Sequence, residues 1–168
     1  MAERGPAGVA VEPIARALGV TKGSFYWHFP DRAALVQAAL ARWERLATDD
    51  VIAALERDPD PRSRLRGLFH ACFDVDKTQA VEVAIAAAAD DPLVSPVLAR
   101  VSARRLAYVV TLYDALGMKP AEARRWGTLA YTAYVGLLHV LRVSPDLYGT
   151  PAARRAYVRH VIDVLVPP

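Results

Sequence analysis

Nine consecutive residues, Thr21-Lys-Gly-Ser-Phe-Tyr-Trp-His-Phe29, carry the densest chemistry in this 168-residue chain. At helical spacing Phe25 and Phe29 stand four apart and share a face, leaving Thr21, Lys22, Gly23, Ser24, Tyr26, Trp27 and His28 on the others. Those residues supply a cation, hydroxyls, an indole and an imidazole, with no carboxylate. Such a face suits a polyanion. Lys22, the Tyr26 hydroxyl and helix N-terminal amides can meet phosphates. Ser24, Trp27 and His28 can touch base edges or thymine methyls in a major groove. Gly23 costs about 1 kcal/mol relative to alanine inside a helix, and close approach of backbone to DNA is a reason to keep it.

Elsewhere the reactive residue types do not converge. His70 and Cys72 are two apart and point to different faces of a helix, which makes a poor metal pair. The remaining histidines are scattered, and the chain has no HExxH, GxSxG, Gly-rich phosphate loop or paired cysteine. We therefore expect no catalytic residue, no metal ligand, no cofactor and no enzyme. Cys72 reads as a core thiol. Asp49-Asp50, Asp74 with Asp76, and Asp90-Asp91 read as helix-end and loop carboxylates. Arg105 is different, because it interrupts the apolar stripe Leu98, Val101, Val109, Leu112 and Leu116. A buried cation must reach water, a carboxylate or a ligand. Both an anion-recognising group and a structural ion pair with Glu82 are open, and the ion pair is favoured.

The elements that must position these residues are helices. Ile14, Ala15 and Leu18 define the inner face of a first helix, Gly19 takes a tight turn, Val20 plugs between helices, and Thr21 caps the second. Asp31 caps a long third helix, read to Glu56, with Val36, Leu40, Trp43, Ala47 and Val51 on one stripe. Asp58-Pro-Asp-Pro61 ends it. A helix with Leu65, Leu68, Phe69, Cys72 and Phe73 inward follows, then an Ala-rich one from about Gln79 to Ala89. The last three start at Pro96, Pro120 and Pro151 and run to Leu116, about Val143 and Val166. The fold class is all-α, an N-terminal helix-turn-helix followed by a bundle of about six helices. We divide it at residues 1–45 and 46–168.

The helix from Pro120 is apolar on two faces. Trp126, Leu129, Ala130, Ala133, Tyr134, Leu137 and Leu141 form one stripe, and Tyr131, Val135 and Leu138 lie opposite. A second copy of the chain related by C2 symmetry would cover the second face, joined by Tyr157 and Val161 of the last helix.

The helix-turn-helix residues resemble the tetracycline-repressor (TetR) family of bacterial transcription regulators. The likeness runs from Ala2-Glu-Arg-Gly5 through Ile14-Ala15, Gly19-Val20 and Thr21 to Phe29, then Asp31-Arg-x-Ala-Leu35. It implies an N-terminal DNA-binding domain, a C-terminal ligand-binding domain, dimerisation through the last two helices, and repression relieved by a small molecule. By position Thr21, Lys22, Gly23, Tyr26, Trp27 and His28 correspond to the family's DNA contacts and Arg32 to its phosphate-contacting cation. The expected partners are a two-fold-symmetric double-stranded operator, a small-molecule effector and a second copy, with no membrane. Family members carry a full helix ahead of the Glu-Arg-Gly turn. We read the start here as misassigned, with Ile14, Leu18, Phe25 and Phe29 losing burial in this chain. Val9-Ala10 replaces the usual threonine cap of the helix from Val11.

Composition agrees with a folded chain: 54% hydrophobic, 23% charged, net charge +3. Residues 92–168 hold the largest basic excess (+6), so overall charge does not point to the helix-turn-helix. A single cysteine, an apolar run of at most seven residues (Val83 to Ala89) and no signal peptide point to the cytoplasm. Trp43, Phe69, Phe73, Arg105, Tyr108 and Tyr113 are candidates to line an effector cavity, for an apolar molecule that is anionic if Arg105 faces it. The competing reading is a helical dimer that does not bind DNA, a truncated relative keeping only the ligand-binding and dimerisation body.

Overall fold

The computed structural model describes residues 8–73 and 77–167, the side chains of 77–79 excepted. The matches at Ala2 to Gly5 and the carboxylates Asp74 and Asp76 lie outside the described residues. No strand occurs among those described. The elements are α1 (Val11–Ala17), α2 (Lys22–His28), α3 (Arg32–Glu44), a π turn (Arg45–Asp49), α4 (Asp50–Leu55), α5 (Pro61–Phe73), α6 (Lys77–Ala86), α7 (Ser95–Ala115), α8 (Pro120–Val143) and α9 (Pro151–Leu165).

Local rules explain most of these boundaries. Gly19 has φ +66° and turns the chain between α1 and α2. The Thr21 hydroxyl accepts from the Ser24 amide at 3.0 Å, and the Asp31 carboxylate from the Ala34 amide at 2.7 Å. Ala10 gives α1 no side-chain cap, as its sequence predicts. Asp60 closes the turn ahead of Pro61, accepting from both the amide and the hydroxyl of Ser63.

The body is built around α7 and α8. They come into close contact at Gly127, where an added Cβ would fall 2.5 Å from Val110 Cγ2 and 3.2 Å from its Cα. One core cluster joins Leu65, Phe69 and Phe73 of α5 to Leu112 and Tyr113 of α7, Tyr134 and Leu137 of α8, and Ile162 and Leu165 of α9. A second joins Val36, Leu40 and Trp43 of α3 to Ile85 of α6 and Val94 and Val101 beside and on α7. The long rod from Arg32 to Leu55 thus reaches from the helix-turn-helix into the body.

The π turn alters the stripe read from sequence. Val36, Leu40 and Trp43 are buried as expected, but Thr48, at 1% exposure, is fully buried whereas Ala47 is only partly so. Trp43 and Thr48 are five apart. A wide turn with i→i+5 periodicity brings the threonine, not the alanine, beneath the tryptophan.

Three other inward assignments change. Leu18 and Val20 are 69% and 42% exposed, so neither packs between α1 and α2. The buried contacts there come from Val11, Ala15 and Phe25, with Ile14 and Phe29 half-buried. Leu138 and Val161 face the chain's own core, and Leu129, expected inward, is 52% exposed. The reason is that α8 packs on α7 and α6 and shares a core cluster with α5 and α9, which turns its buried arc toward Leu138 and leaves Leu129 in solvent.

Candidate nucleic-acid interface and body cavity

On α2 a single side chain is buried. Phe25, 6% exposed, sits edge-on to Tyr26 and 5.4 Å from the Phe29 ring, and together they fix the short helix on its support. Thr21, Lys22, Gly23, Ser24, Tyr26, Trp27 and His28 are all exposed, Trp27 at 84%. The Trp27 and His28 rings meet at 5.0 Å, edge to face. The sequence-predicted residues are therefore brought together on one outward surface.

Two contacts there go beyond the sequence reading. Lys22 Nζ donates to Glu12 Oε1 at 2.7 Å, joining α2 to α1 across the turn. That hydrogen bond, then the opposite charge, hold the Glu12 carboxyl below and the Lys22 ammonium above their ordinary ranges. The spacing Glu12–Lys22, ten residues across a tight turn, is the signal that a sequence reading can use. Arg32 Nε donates to the Val9 carbonyl at 2.7 Å, so this residue also fastens the start of α3 to the segment ahead of α1.

A cavity of about 460 Å³ opens in the body between α3, the π turn, α4, α5, α6, α7 and α8. Trp43, Phe69, Phe73, Arg105 and Tyr108 line it, as the sequence suggests. Tyr113 does not. It is completely buried in the core, where its hydroxyl donates to the Leu165 carbonyl at 2.7 Å and ties α7 to the end of α9. Tyr131, expected at a dimer face, and Tyr134 complete the aromatic wall instead.

Arg105 is paired with Glu82, the partner its sequence context suggests. Arg105 Nη1 lies 3.1 Å from Glu82 Oε2 and Nη2 lies 3.0 Å from Oε1. Nε donates to Thr48 Oγ1 at 2.8 Å and Nη2 also to the Ala47 carbonyl at 3.0 Å, so the guanidinium clasps the π turn. Glu82 further accepts from Trp43 Nε1 at 2.8 Å and from the Tyr134 hydroxyl at 3.3 Å. The guanidinium carbon lies 5.3 Å from the Trp43 ring centre and 6.0 Å from that of Tyr134. Burial works against the Arg105 charge, and the hydrogen bonds and charge of Glu82 override it, raising the guanidinium pKa. Burial first, then the Glu82 charge, push the Tyr134 phenol well up as well.

Two neighbouring arginines extend the grip. Arg100 holds both Glu44 oxygens, Nε to Oε1 at 2.8 Å and Nη2 to Oε2 at 2.6 Å, and Arg104 meets Asp49 at 3.1 Å. Part of the C-terminal basic excess therefore serves to fasten α7 to the rod. Cys72 lines the cavity beneath α5, and burial pushes its thiol up to about 12, so it stays protonated near neutral pH. No cluster of three or more His, Cys, Asp or Glu able to hold a metal occurs among the described residues, and no helix among them is long and apolar enough to cross a membrane.

The chain is similar to known proteins in sequence at its N-terminus and in fold throughout. Residues 1–39 match the family model of bacterial regulatory proteins of the tetR family. Over 75 residues the chain is 37% identical to the HTH-type transcriptional regulator TtgR of Pseudomonas putida and 50% identical to the probable HTH-type transcriptional regulator ArpR, also of Pseudomonas putida. Each match covers 43% of this chain and 35% of the relative's length. A solved chain from Rhodococcus sp. assigned to the TetR-family transcriptional regulators superposes with TM-score 0.72 over 99% of this chain and 92% of its own, at 21% identity, a likeness of fold. Residues 1–39 thus resemble the tetR family of bacterial regulatory proteins in sequence, and the chain as a whole shares its all-helical fold with the Rhodococcus protein.

Proposed function

We propose that the chain is a DNA-binding transcriptional regulator, a repressor that a small molecule releases from its operator. One observation carries this reading: α2 buries Phe25 alone and offers Lys22, Ser24, Tyr26, Trp27 and His28 together to solvent, with no carboxylate of its own among them. Such a surface, seven residues long and ringed by exposed aromatics, fits the width of a major groove. Lys22 and Tyr26 serve phosphates, and Ser24, Trp27 and His28 serve base edges. Arg32 adds a cation at the start of α3. In this reading residues 1–45 make the DNA-binding unit and 46–168 the ligand-binding and dimerisation unit.

Two recognition helices are needed for a two-fold operator, and the exposed apolar residues supply a seam for the second copy. Leu129, Val135, Val140 and Val143 of α8 and Tyr157 and Val164 of α9 all face water in the single chain. Covering them against their equivalents by C2 symmetry removes that apolar surface from water. The effector enters the body cavity, whose size falls within the range of about 300–1,000 Å³ typical of small-molecule sites.

The test is a salt-dependent gel shift on DNA flanking the chain's own gene. We expect a two-fold-symmetric site with half-sites about one helical turn apart. Lys22→Ala should weaken binding to every sequence and reduce the salt slope by about one. Binding no tighter than to random duplex would instead favour a helical dimer that has no DNA partner.

A further inference from the structure

Among the described residues the cavity wall holds one largely buried ion of each sign, Arg105 and Glu82. Arg105 directs its N–H groups to Glu82, Thr48 and the Ala47 carbonyl, and Glu82 accepts from Arg105, Trp43 and Tyr134 on its two oxygens. Their side chains are only 16% and 11% exposed. A ligand carboxylate could take Arg105 only by displacing Glu82 and leaving a second carboxylate beside it in an apolar surround. A ligand cation could take Glu82 only by expelling Arg105, which would also release the π turn. Either exchange desolvates a new ion and returns no more than the pair already present. Arg42, the other cation on the wall, is exposed, where water and salt screen it. The rest of the wall is mostly aromatic and aliphatic, Phe69, Phe73 and Tyr131 included. The hydroxyl of Tyr108, also on the wall, is buried near Glu56.

We infer that the cavity selects uncharged, aromatic-bearing molecules and that Glu82 sets this selectivity by neutralising Arg105. The inference rests on the effector reading above and names the chemistry of the effector. Aromatic walls gain from offset and edge-on ring contacts with a planar ligand, and a neutral ligand leaves the ion pair intact.

The experiment is calorimetric titration of the full chain with three probes that share one ring system: 2-naphthol, 2-naphthoate and (2-naphthylmethyl)trimethylammonium. The wild-type chain should bind the naphthol at least about tenfold more tightly than either ion, a difference of about 1.4 kcal/mol. Glu82→Gln keeps an acceptor for Trp43 but leaves the Arg105 charge without its counter-ion. It should narrow or reverse the preference of naphthol over naphthoate. If Glu82→Gln does not fold, the wild-type series still decides. Preference for naphthoate makes Arg105 an anion receptor and overturns the inference, and preference for the ammonium makes Glu82 a cation receptor and overturns it equally. Comparable affinity for all three, or none for any, overturns it too. The gel shift keeps the two readings apart. A chain that binds operator DNA but prefers naphthoate loses only this inference, and one that selects naphthol but ignores DNA loses only the regulator.

Discussion

The two ends of the rod from Arg32 to Leu55 are held in opposite ways. At the start, Asp31 caps it, Arg32 holds the Val9 carbonyl, and Val36 shares a core cluster with Val9 and Ile14, beside a pair of seven-residue helices whose side chains, Val11, Ala15 and Phe25 apart, are mostly exposed. At the other end, Arg100, Arg104 and Arg105 of α7 grip Glu44, Asp49 and the π turn, and Glu82 links that grip to Trp43 and Tyr134. One end keeps most of its polar side chains in water, bridged only locally by Lys22 and Glu12. The other pairs Arg105 and Glu82 with protein groups and borders a largely apolar space. The contrast teaches that an exposed polar and aromatic surface can be assembled from a few local side chains, whereas a cavity requires groups from several distant elements to agree.

Substitutions separate the two ends by size of effect. Arg105→Leu removes one member of a buried pair and leaves Glu82 without its cation, so chemical denaturation should show a loss of about 3–5 kcal/mol. A loss below about 1 kcal/mol, the scale of an exposed pair, would mean that the gripped end is no tighter than the exposed one. Gly127→Ala drives a methyl into Val110 where α7 and α8 meet, and the same measurement should show a cost of about 1–3 kcal/mol despite alanine's better helix propensity. Thr21→Ala deletes the cap of α2 and should cost about 1 kcal/mol or less, while weakening DNA binding through a frayed recognition helix. If Thr21→Ala destabilised the chain more than Arg105→Leu, the contrast between the ends would be inverted.

What the sequence makes legible follows the same division. Gly19, Thr21, Asp31, Asp60 and the helix-opening prolines act within three or four residues, and each stands where local rules put it. The α2 surface is readable because Phe25 and Phe29 identify its inner side without reference to anything distant. The pairing of Arg105 with Glu82 is also readable, because a cation in an apolar stripe demands a counter-ion and few carboxylates lie in reach. Leu18, Val20, Leu129, Leu138 and Val161 depart from the pattern because their burial depends on which helices cover each face. Aromatic character alone assigns Tyr113 to the cavity, whereas its hydroxyl finds a carbonyl at the end of α9. Thr48 escapes a sequence reading because a 3.6-residue period puts it outside the stripe.

The wide turn at Arg45–Asp49 carries one residue more than an ordinary helical turn would need between Trp43 and Thr48. Removing one residue between them would place the threonine four positions after the tryptophan, on the same face of an uninterrupted α-helix, so the rod should absorb a deletion there. A further inserted residue would instead swing everything downstream by about 100° around the axis, taking Val51 and Ile52 off the cavity wall and the Thr48 hydroxyl away from Arg105. The spacing along that segment keeps the chamber and the helix-turn-helix end in phase.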